Sequence, residues 1–538
     1  MSELRRFALE EGSDLINLVA GLEQRAPLER EPVRVVERTV FDTFDWRLHA
    51  EGTVLEHERV IGGPRPRKGA PAVVPWLVWR SIGTGEVLGR LPVEVVPTFA
   101  ADLPGGPTAE RLRAIVEMRA LRALVTVRSE EVGLRLLDDE GKTEARIVIE
   151  QATLAGRDES LPTVVEVVPV RGYHRAAERV TGLLKAQVVL REIDRDVVDE
   201  ALALAGYSPG DYSSKLKVKI APDASALEAI VAVLRALLAA MAVNEPGTRA
   251  DTDSEFLHDY RVAVRRTRSV LAMAARVVPP ARLADLRSEF KWLGDITTPT
   301  RDFAVYLLTY PDFEASLPPA VRPDLRPLQA FLDEHQRSAQ VQLVADLDSP
   351  RYAALLDRYQ AWLDDPAADP DATNADVVPD AAAPAVTVAA ARTWKAYRRL
   401  VRDGRRITTD SPPEALHDLR KDAKKLRYAL ECFASLFPAD EVAPLVKDLK
   451  AVQDVLGEFQ DCEVQKGSLR GFGEELVVDD GPAVAPTLMA MGYLIEQLDE
   501  RERLARDQFA DRFERFDSHH QRARFRQLFA PSPEESPS

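Results

Sequence analysis

From the start of the chain to about residue 200, short stretches rich in β-branched residues follow one another, and several alternate apolar with polar positions. VRVVERTVFDT, PWLVWRS, RALVTVRSEEVGLRLL, EARIVIEQATL and TVVEVVPV read as strands, because a period of two places one set of side chains on each face of a sheet. The charged turn LDDEGKTEA separates two of them and predicts a hairpin. GSDLINLVAGLEQ, TAERLRAIVEM and HRAAERVTGLLKAQ read as helices between the strands. The pattern predicts a mixed domain over residues 1–205 in which an antiparallel sheet dominates.

After the polar link GYSPGDYSSKLKVKIAPDAS the texture turns helical and rich in alanine. A first helical unit is predicted over about 223–360 and a second over about 391–530. DDPAADPDATNADVVPDAAAPAVTVAA, filled with Pro, Ala and Asp, predicts a mobile tether over about 364–390. The fold class is therefore α+β: a β-rich domain, then an all-α domain of two pseudo-symmetric helical-bundle units.

The symmetry rests on two stretches. LHDYRVAVRRTRSVL has no glycine or proline and predicts a helix on which His258, Arg261, Arg265 and Arg268 fall at steps of three, four and three. Residues at those steps stack on one helix face. Arg266 lies beside the row, and Leu257, Val264 and Leu271 supply apolar rows. LHDLRKDAKKLRYAL repeats the pattern later in the chain with His417, Arg420, Lys424 and Arg427, and Lys425 stands where Arg266 stood. The step from His258 to His417 also carries Lys291 to Lys450, Asp295 to Asp454 and Asp302 to Asp461, in KWLGDITTPTRD and KAVQDVLGEFQD. One basic helix is an ordinary solvated face. Two in register, each followed by the same Lys and Asp pattern, indicate a duplicated unit.

Charge sharpens the picture. The 538 residues carry a formal net charge of -16, so no global attraction to nucleic acid exists and the two cationic rows are local exceptions. Cys432 and Cys462 lie in partly apolar helical surroundings and read as free thiols, and there is no CxxC or Cys/His cluster. MSELRRFALEEGSDL lacks an apolar signal core, and AIVAVLRALLAAMAV, the nearest thing to a membrane span, is interrupted by Arg235. No membrane insertion is expected, and the chain reads as cytoplasmic. No metal site, catalytic residue or cofactor is expected.

A histidine among guanidinium and ammonium groups has no evident catalytic division of labour, since neither His258 nor His417 has a serine or cysteine nucleophile beside it. Arginine's fork of donors matches phosphate oxygens and lysine supplies mobile point charge, so a rigid line of both suits a polymer of closely spaced phosphates. A further row, Arg392, Lys395, Arg399 and Arg402 with Arg398 beside it, repeats the spacing. One repeat step earlier stand Val233, Ala236, Ala240 and Val243, so this row belongs to the second unit and predicts an asymmetric track.

The two histidine helices and the segments after them resemble the signature helices of the CHAD family, a conserved-histidine helical domain, over about 223–530. The resemblance implies two four-helix units around a basic cavity that binds inorganic polyphosphate. It assigns phosphate contacts to His258, Arg261, Arg265, Arg266, Arg268, His417, Arg420, Lys424, Lys425 and Arg427. Lys291 and Lys450 are further candidates, and Asp302 and Asp461 are expected to pair with the cationic helices.

CHAD domains often follow a CYTH domain, a triphosphate tunnel fold, and VFDTFDWRLHAEGTVLEHER resembles its second strand region through Asp42, Thr43, Leu48, Gly52 and Leu55. Where that family has a basic pair, this chain has Glu56 and Glu58. Where it begins with an ExExK strand, Arg6 takes the lysine position and Ser2 and Leu4 the acid positions. Glu150 and Glu166 survive, with Val164 and Val168 flanking the latter. Metal-assisted triphosphate hydrolysis needs clustered carboxylates for the ion and cations for the phosphoryl oxygens. The leading expectation is a non-catalytic polyphosphate binder with a degenerate tunnel domain, acting as a scaffold or targeting module for polyphosphate granules and their proteins. A metal-dependent triphosphatase or nucleotidyl cyclase is the first rival. A nucleic-acid binder is the second, opposed by the acidic total and the lack of interleaved aromatics. The sequence leaves oligomeric state open.

Overall fold

The computed structural model describes residues 5–531 apart from 11–12, 14, 64–73, 158, 171, 188, 194–196, 215, 369–373 and 375–376, and omits the side chains of 479, 480 and 482. The chain divides into two compact units, Met1–Ser213 and Ser214–Ser538.

The first unit runs β1 (Arg5–Leu9), α1 (Leu15–Glu23), β2 (Leu28–Arg30), β3 (Arg34–Asp42), α2 (Arg47–Ala50), β4 (Thr53–Gly62), β5 (Trp76–Ser81) and β6 (Val87–Pro92), then α3 (Pro107–Val116), β7 (Arg122–Leu137), β8 (Thr143–Leu154), β9 (Val164–Pro169), α4 (His174–Lys185), β10 (Leu190–Ile193) and α5 (Val197–Leu204). The strands form one sheet in the order β10-β1-β9-β8-β7-β3-β4-β5-β6, with β2 also on β7. Every pairing is antiparallel. The β7–β8 hairpin turns where LDDEGKTEA predicted it, with Gly141 at φ 77, a left-handed conformation that glycine adopts without a Cβ clash. The strands β2 and β10 carry too few residues to show an alternation, while β4 and β6 are not among the stretches that read as strands from their pattern.

The second unit is helical: α6 (Ala226–Arg249), α7 (Ser254–Met273), α8 (Pro280–Ile296), α9 (Thr298–Ser316), α10 (Arg326–Leu347), α11 (Pro350–Asp364), α12 (Ala385–Gly404), α13 (Pro413–Cys432), α14 (Ala439–Asp480), α15 (Ala485–Phe516) and α16 (His519–Phe529). The repeat step from His258 to His417 extends through the helices: shifted by it, the first residues of α6, α7, α8 and α10 become the first residues of α12, α13, α14 and α15. Where the first repeat breaks into α8 and α9, with Pro299 at the start of α9, the second runs on as one 42-residue helix with Glu458 in the equivalent place. A proline at the first turn of a helix removes no hydrogen bond there, but deeper inside it would, so the residue choice fits the break.

Equivalent residues also meet. Ser225 and Pro384, one repeat step apart, form an isolated antiparallel bridge. Ala226 N–H donates to Ala383 O at 2.8 Å, and the equivalent Ala385 N–H donates to Ala224 O at 2.9 Å. Reciprocal contacts of this kind are what a two-fold relation produces. The repeats do not fold as separate bundles. Tyr306, Phe313 and Leu332 of the first share a core with Leu469, Met491 and Leu494 of the second.

One expectation needs correction. The tether predicted over 364–390 is ordered at its end: Val378 is buried, Asp380 pairs with Arg276 at 3.1 Å, and α12 begins at Ala385, ahead of the predicted start of the second unit. Alanine and valine in this stretch fill a core position and a helix, which a composition bias cannot distinguish from a loose linker. Its residues 369–373 and 375–376 lie outside the described part. Among the described residues, α6 is the one helix long and apolar enough to cross a membrane, but its Ile230, Val233, Leu234, Leu237 and Met241 lie in the domain core.

A candidate polyanion site along the seam of the two repeats

Helix α7 starts where Asp253 caps it, accepting from Glu255 N at 3.0 Å and Phe256 N at 3.2 Å. Its apolar face carries Leu257, Tyr260, Ala263, Val264 and Leu271 into the core of the first repeat, and Leu416, Leu419, Ala423 and Leu426 of α13 do the same in the second. Burying those faces fixes the rotation of each helix, so both cationic rows point away from their own cores. The two helices pack on one another. Arg265 of α7 and Lys424 of α13, equivalent residues, are thereby brought close enough for one charge to act on the other.

The seam is charge-frustrated. Burial, reinforced by Arg420, Arg265 and Arg427, pushes the Lys424 ammonium down to about 8. Burial and then Arg265, with Arg301 and Arg268, push the Arg261 guanidinium down to about 10, against the pull of Asp302. Among the described residues no carboxylate lies within ion-pair distance of Arg265, Arg268 or Lys424, and the buried Arg265 Nε has no hydrogen-bond partner.

The remaining cations are aimed by neutral or single acidic partners. Arg261 Nη1 donates to Thr297 Oγ1 at 2.7 Å, Thr298 Oγ1 at 3.0 Å and Gly294 O at 3.3 Å, so the α8–α9 break built by KWLGDITTPTRD is its cradle. A Cβ at Gly294 would stand 2.8 Å from Arg268 Nη1, so glycine lets Arg268 lie across α8. The equivalent arginine in the second repeat, Arg427, donates to Gln453 Oε1 at 3.0 Å, and Gln453 is the equivalent of Gly294. Arg420 pairs with Asp461 at 2.9 Å, and His417 Nδ1 bonds Gln460 Oε1. Glu431 ties the seam together, taking Arg266 from α7 at 3.0 Å and Arg427 from α13 at 2.7 Å. Arg266 is thus a strut between the helices. Lys425 is exposed and paired with Asp422 at 3.0 Å.

The pattern of basic residues missed Arg301. It donates to Ser254 O at 3.0 Å, and burial together with Arg265 depresses its guanidinium, which places it in the same cluster. Its equivalent in the second repeat is Gln460, so no repeated motif pointed to it. His258 is half-buried on the α7 row, and Lys291 and Lys450 are exposed on α8 and α14. The α12 row divides. Arg392 donates to Ala275 O at 2.7 Å and pairs with Asp380 at 3.2 Å, which pins α12 to the first repeat. Arg399 pairs with Asp422 at 2.7 Å. Lys395, Arg398, Arg399 and Arg402 line a different concavity, between α12 and α16, to which none of the seam residues contributes. Both thiols are free and buried, and burial pushes Cys432 up to about 12 and Cys462 to about 11, which keeps them protonated.

In the sheet unit the acids Glu56, Glu58, Glu150 and Glu166 each have an arginine partner. Glu150 pairs with Arg38 and accepts from Ser129 Oγ at 2.5 Å, both side chains being buried. Arg6 pairs with Glu166 at 2.8 Å across the β1–β9 register. Glu56 is 2% exposed and bound to Arg80 at 2.5 Å, and Glu58 pairs with Arg34 at 3.4 Å. Asp42 is a structural acid: its carboxylate accepts the backbone N–H groups of Thr43, Leu48 and His49 at 2.7 to 3.0 Å and shapes the turn into α2. Ser2 and Leu4 lie outside the described residues. Among the described residues no group of three His, Cys, Asp or Glu side chains is placed to hold a metal ion.

Known proteins resemble parts of this chain. Residues 232–470 match the model of the CHAD domain family, so the chain carries a CHAD domain. The uncharacterized protein Rv2226 of Mycobacterium tuberculosis is 30% identical over 225 residues, which is 41% of this chain and 41% of that protein. The matched stretch thus spans about two fifths of the length of that curated relative. The crystal structure of the CHAD domain from the plant Ricinus communis is similar at 27% identity and a TM-score of 0.46, covering 60% of this chain and 99% of that one. PptA from Streptomyces chartreusis is similar at 15% identity and a TM-score of 0.41, covering 54% and 100%. A candidate adenylate cyclase from Bacillus halodurans is similar at 12% identity and a TM-score of 0.26, covering 37% and 98%.

Proposed function

We propose that this chain binds inorganic polyphosphate along the α7–α13 seam without transforming it, and serves as a scaffold or targeting module at polyphosphate granules. The observation that carries the reading is the meeting of Arg265 and Lys424, equivalent cations for which no carboxylate lies within ion-pair distance among the described residues. Asp461 pairs with Arg420 and acts on Lys424 only from further off, a cost that a threaded anion would relieve. Polyphosphate supplies closely spaced charge and no bases to accommodate. A track built from two repeats gains contacts with each added phosphate at no further association cost, so long chains are preferred to triphosphate. The sheet unit is non-catalytic in this reading, because Glu150 and Glu166 are each neutralised by an arginine and neither is left to hold a divalent ion.

Titration of the full chain with long polyphosphate tests the reading. Binding should weaken steeply with salt and survive competition by single-stranded DNA of equal charge. Absence of binding at low salt from a folded protein sinks it, and equal displacement by DNA moves the site to nucleic acid. Phosphate release from triphosphate or ATP with magnesium or manganese should stay at background. Turnover that requires metal and vanishes in Glu166→Ala would make the chain an enzyme.

A further inference from the structure

The second basic concavity is not explained by the seam. It holds about 1530 Å³ between α12 and α16. Lys395, Arg398, Arg399 and Arg402 line one wall, and Arg405 and Arg406 continue it past the helix end. His519, Arg522 and Arg526 of α16 stand opposite. Three carboxylates serve these cations among the described residues. Asp403 takes Arg402 at 2.8 Å with Arg399 and Arg406 further off, Asp517 takes Arg405 at 2.6 Å and Arg522 at 3.9 Å, and Asp422 takes Arg399. No ion pair reaches Lys395, Arg398 or Arg526 among the described residues, and all three are exposed.

The groove belongs to one repeat alone. The first-repeat equivalents of Lys395, Arg398 and Arg402 are Ala236, Ala239 and Val243, which carry no charge. Helix α16 also lies beyond residue 470, where the family match ends. The duplicated motif therefore did not bring this cluster with it.

We propose that the groove is a second site for a phosphate polymer, separate from the seam and peculiar to the second repeat. The inference rests on the polyphosphate reading above only for the identity of the polymer. Bare phosphates fit better than nucleic acid because Tyr397 and Phe525 at the floor are buried and stacked on one another, which leaves the half-buried Trp394 as the one partly open Trp, Tyr or Phe ring among the lining residues. Tyr397 stacks on Phe525 with centroids 3.9 Å apart and planes 10° apart, and Trp394 lies against Tyr397 at 5.6 Å and 26°. Bases would need exposed ring faces on which to stack.

The test titrates short polyphosphate of uniform length into the full chain by calorimetry, comparing the unaltered protein with a groove variant, Lys395→Glu with Arg526→Glu, and a seam variant, Arg265→Glu with Lys424→Glu. The expected result is two binding events in the unaltered protein and one in each variant. A groove variant that keeps both events overturns the groove, and the seam reading stands. A seam variant that keeps both events overturns the seam reading and leaves the groove to be judged by its own variant. Equal displacement of polyphosphate from the seam variant by single-stranded RNA of equal charge overturns the choice of polymer. If charge reversal unfolds the protein, Lys395→Gln with Arg526→Gln decides: the slope of log affinity against log salt should fall by roughly 0.7 for each cation removed, and an unchanged slope overturns the proposal.

Discussion

The sheet unit and the helical seam use the same residue types to opposite ends. In the sheet, the buried and half-buried glutamates are matched by arginines: Glu150 by Arg38, Glu166 by Arg6, Glu56 by Arg80. In the seam, cation faces cation, and Arg265 acts on Lys424 with no carboxylate within ion-pair distance of either among the described residues. Matched charges hold a fold in register and leave nothing over for a ligand. Unmatched ones cost the free fold some stability and return it when an anion arrives. Counting basic residues does not separate the two cases, because what matters is whether a partner waits on a neighbouring element.

The sharpest break of this contrast is at the seam. Arg265→Glu with Lys424→Glu should weaken long polyphosphate binding by about a hundredfold or more, since two charged contacts at roughly 1.5–3 kcal/mol each are lost and the new charges repel. Thermal stability should hold, because the two glutamates repel one another as the two cations did but each gains neighbouring arginines, Arg261 and Arg420 among them, as partners. Unfolding together with lost binding would mean that the seam is structural. The matching experiment in the sheet is Arg38→Met. The Arg38 and Glu150 side chains are only 10% and 9% exposed, so stranding Glu150 should cost about 3–5 kcal/mol in urea unfolding, with polyphosphate binding unchanged. Adding Glu150→Gln should recover most of that loss, and a double variant as unstable as the single would refute a charge-pair origin.

Proton linkage gives a finer probe. Lys424 sits near 8 in the free fold, well below lysine's ordinary value, so the ammonium is only half formed at that pH. A bound anion favours the charged form and raises the pKa. Affinity should therefore be highest below pH 8, fall by up to about tenfold as pH rises through it, and be accompanied by proton uptake. The free fold should show the opposite trend: the unfolded chain keeps the proton longer, so stability rises between about 8 and lysine's ordinary pKa. Lys424→Arg stays charged and should flatten the affinity profile. A profile that survives the substitution assigns the titration to another group.

Much of this was legible in the chain. The register that links His258 to His417 located both cationic helices and ran on through the starts of four helix pairs, because a duplicated unit keeps spacing as well as residue type. The long strands β3, β7 and β8 were readable from alternation, while β4 was not among the strands read. Partners on other helices were not: that Glu431 would take Arg266, or Asp380 take Arg392, depends on which helices meet. Arg301 escaped because its equivalent is Gln460, and α16 because its arginines sit near the chain end in a stretch with no counterpart motif. A period finds what was copied, and the groove and Arg301 are departures from the copy.

The smallest expected effect concerns Lys291 and Lys450, which bound the comparison from the other side. Each lies three residues before the position that receives the last arginine of its row, Gly294 under Arg268 and Gln453 under Arg427. Helical spacing thus sets both lysines one turn beyond the seam's end. They are exposed, so any phosphate contact they make is solvated and screened. Lys291→Ala and Lys450→Ala should each weaken long polyphosphate by less than about fivefold, leave the melting temperature alone and lose their effect in high salt. Short polyphosphate that fills only the centre of the seam should bind both variants as it binds the unaltered chain. A loss as large as that of Arg265→Glu would mean that unmatched charge at the centre is not what holds the polymer, and that the ends of the track do.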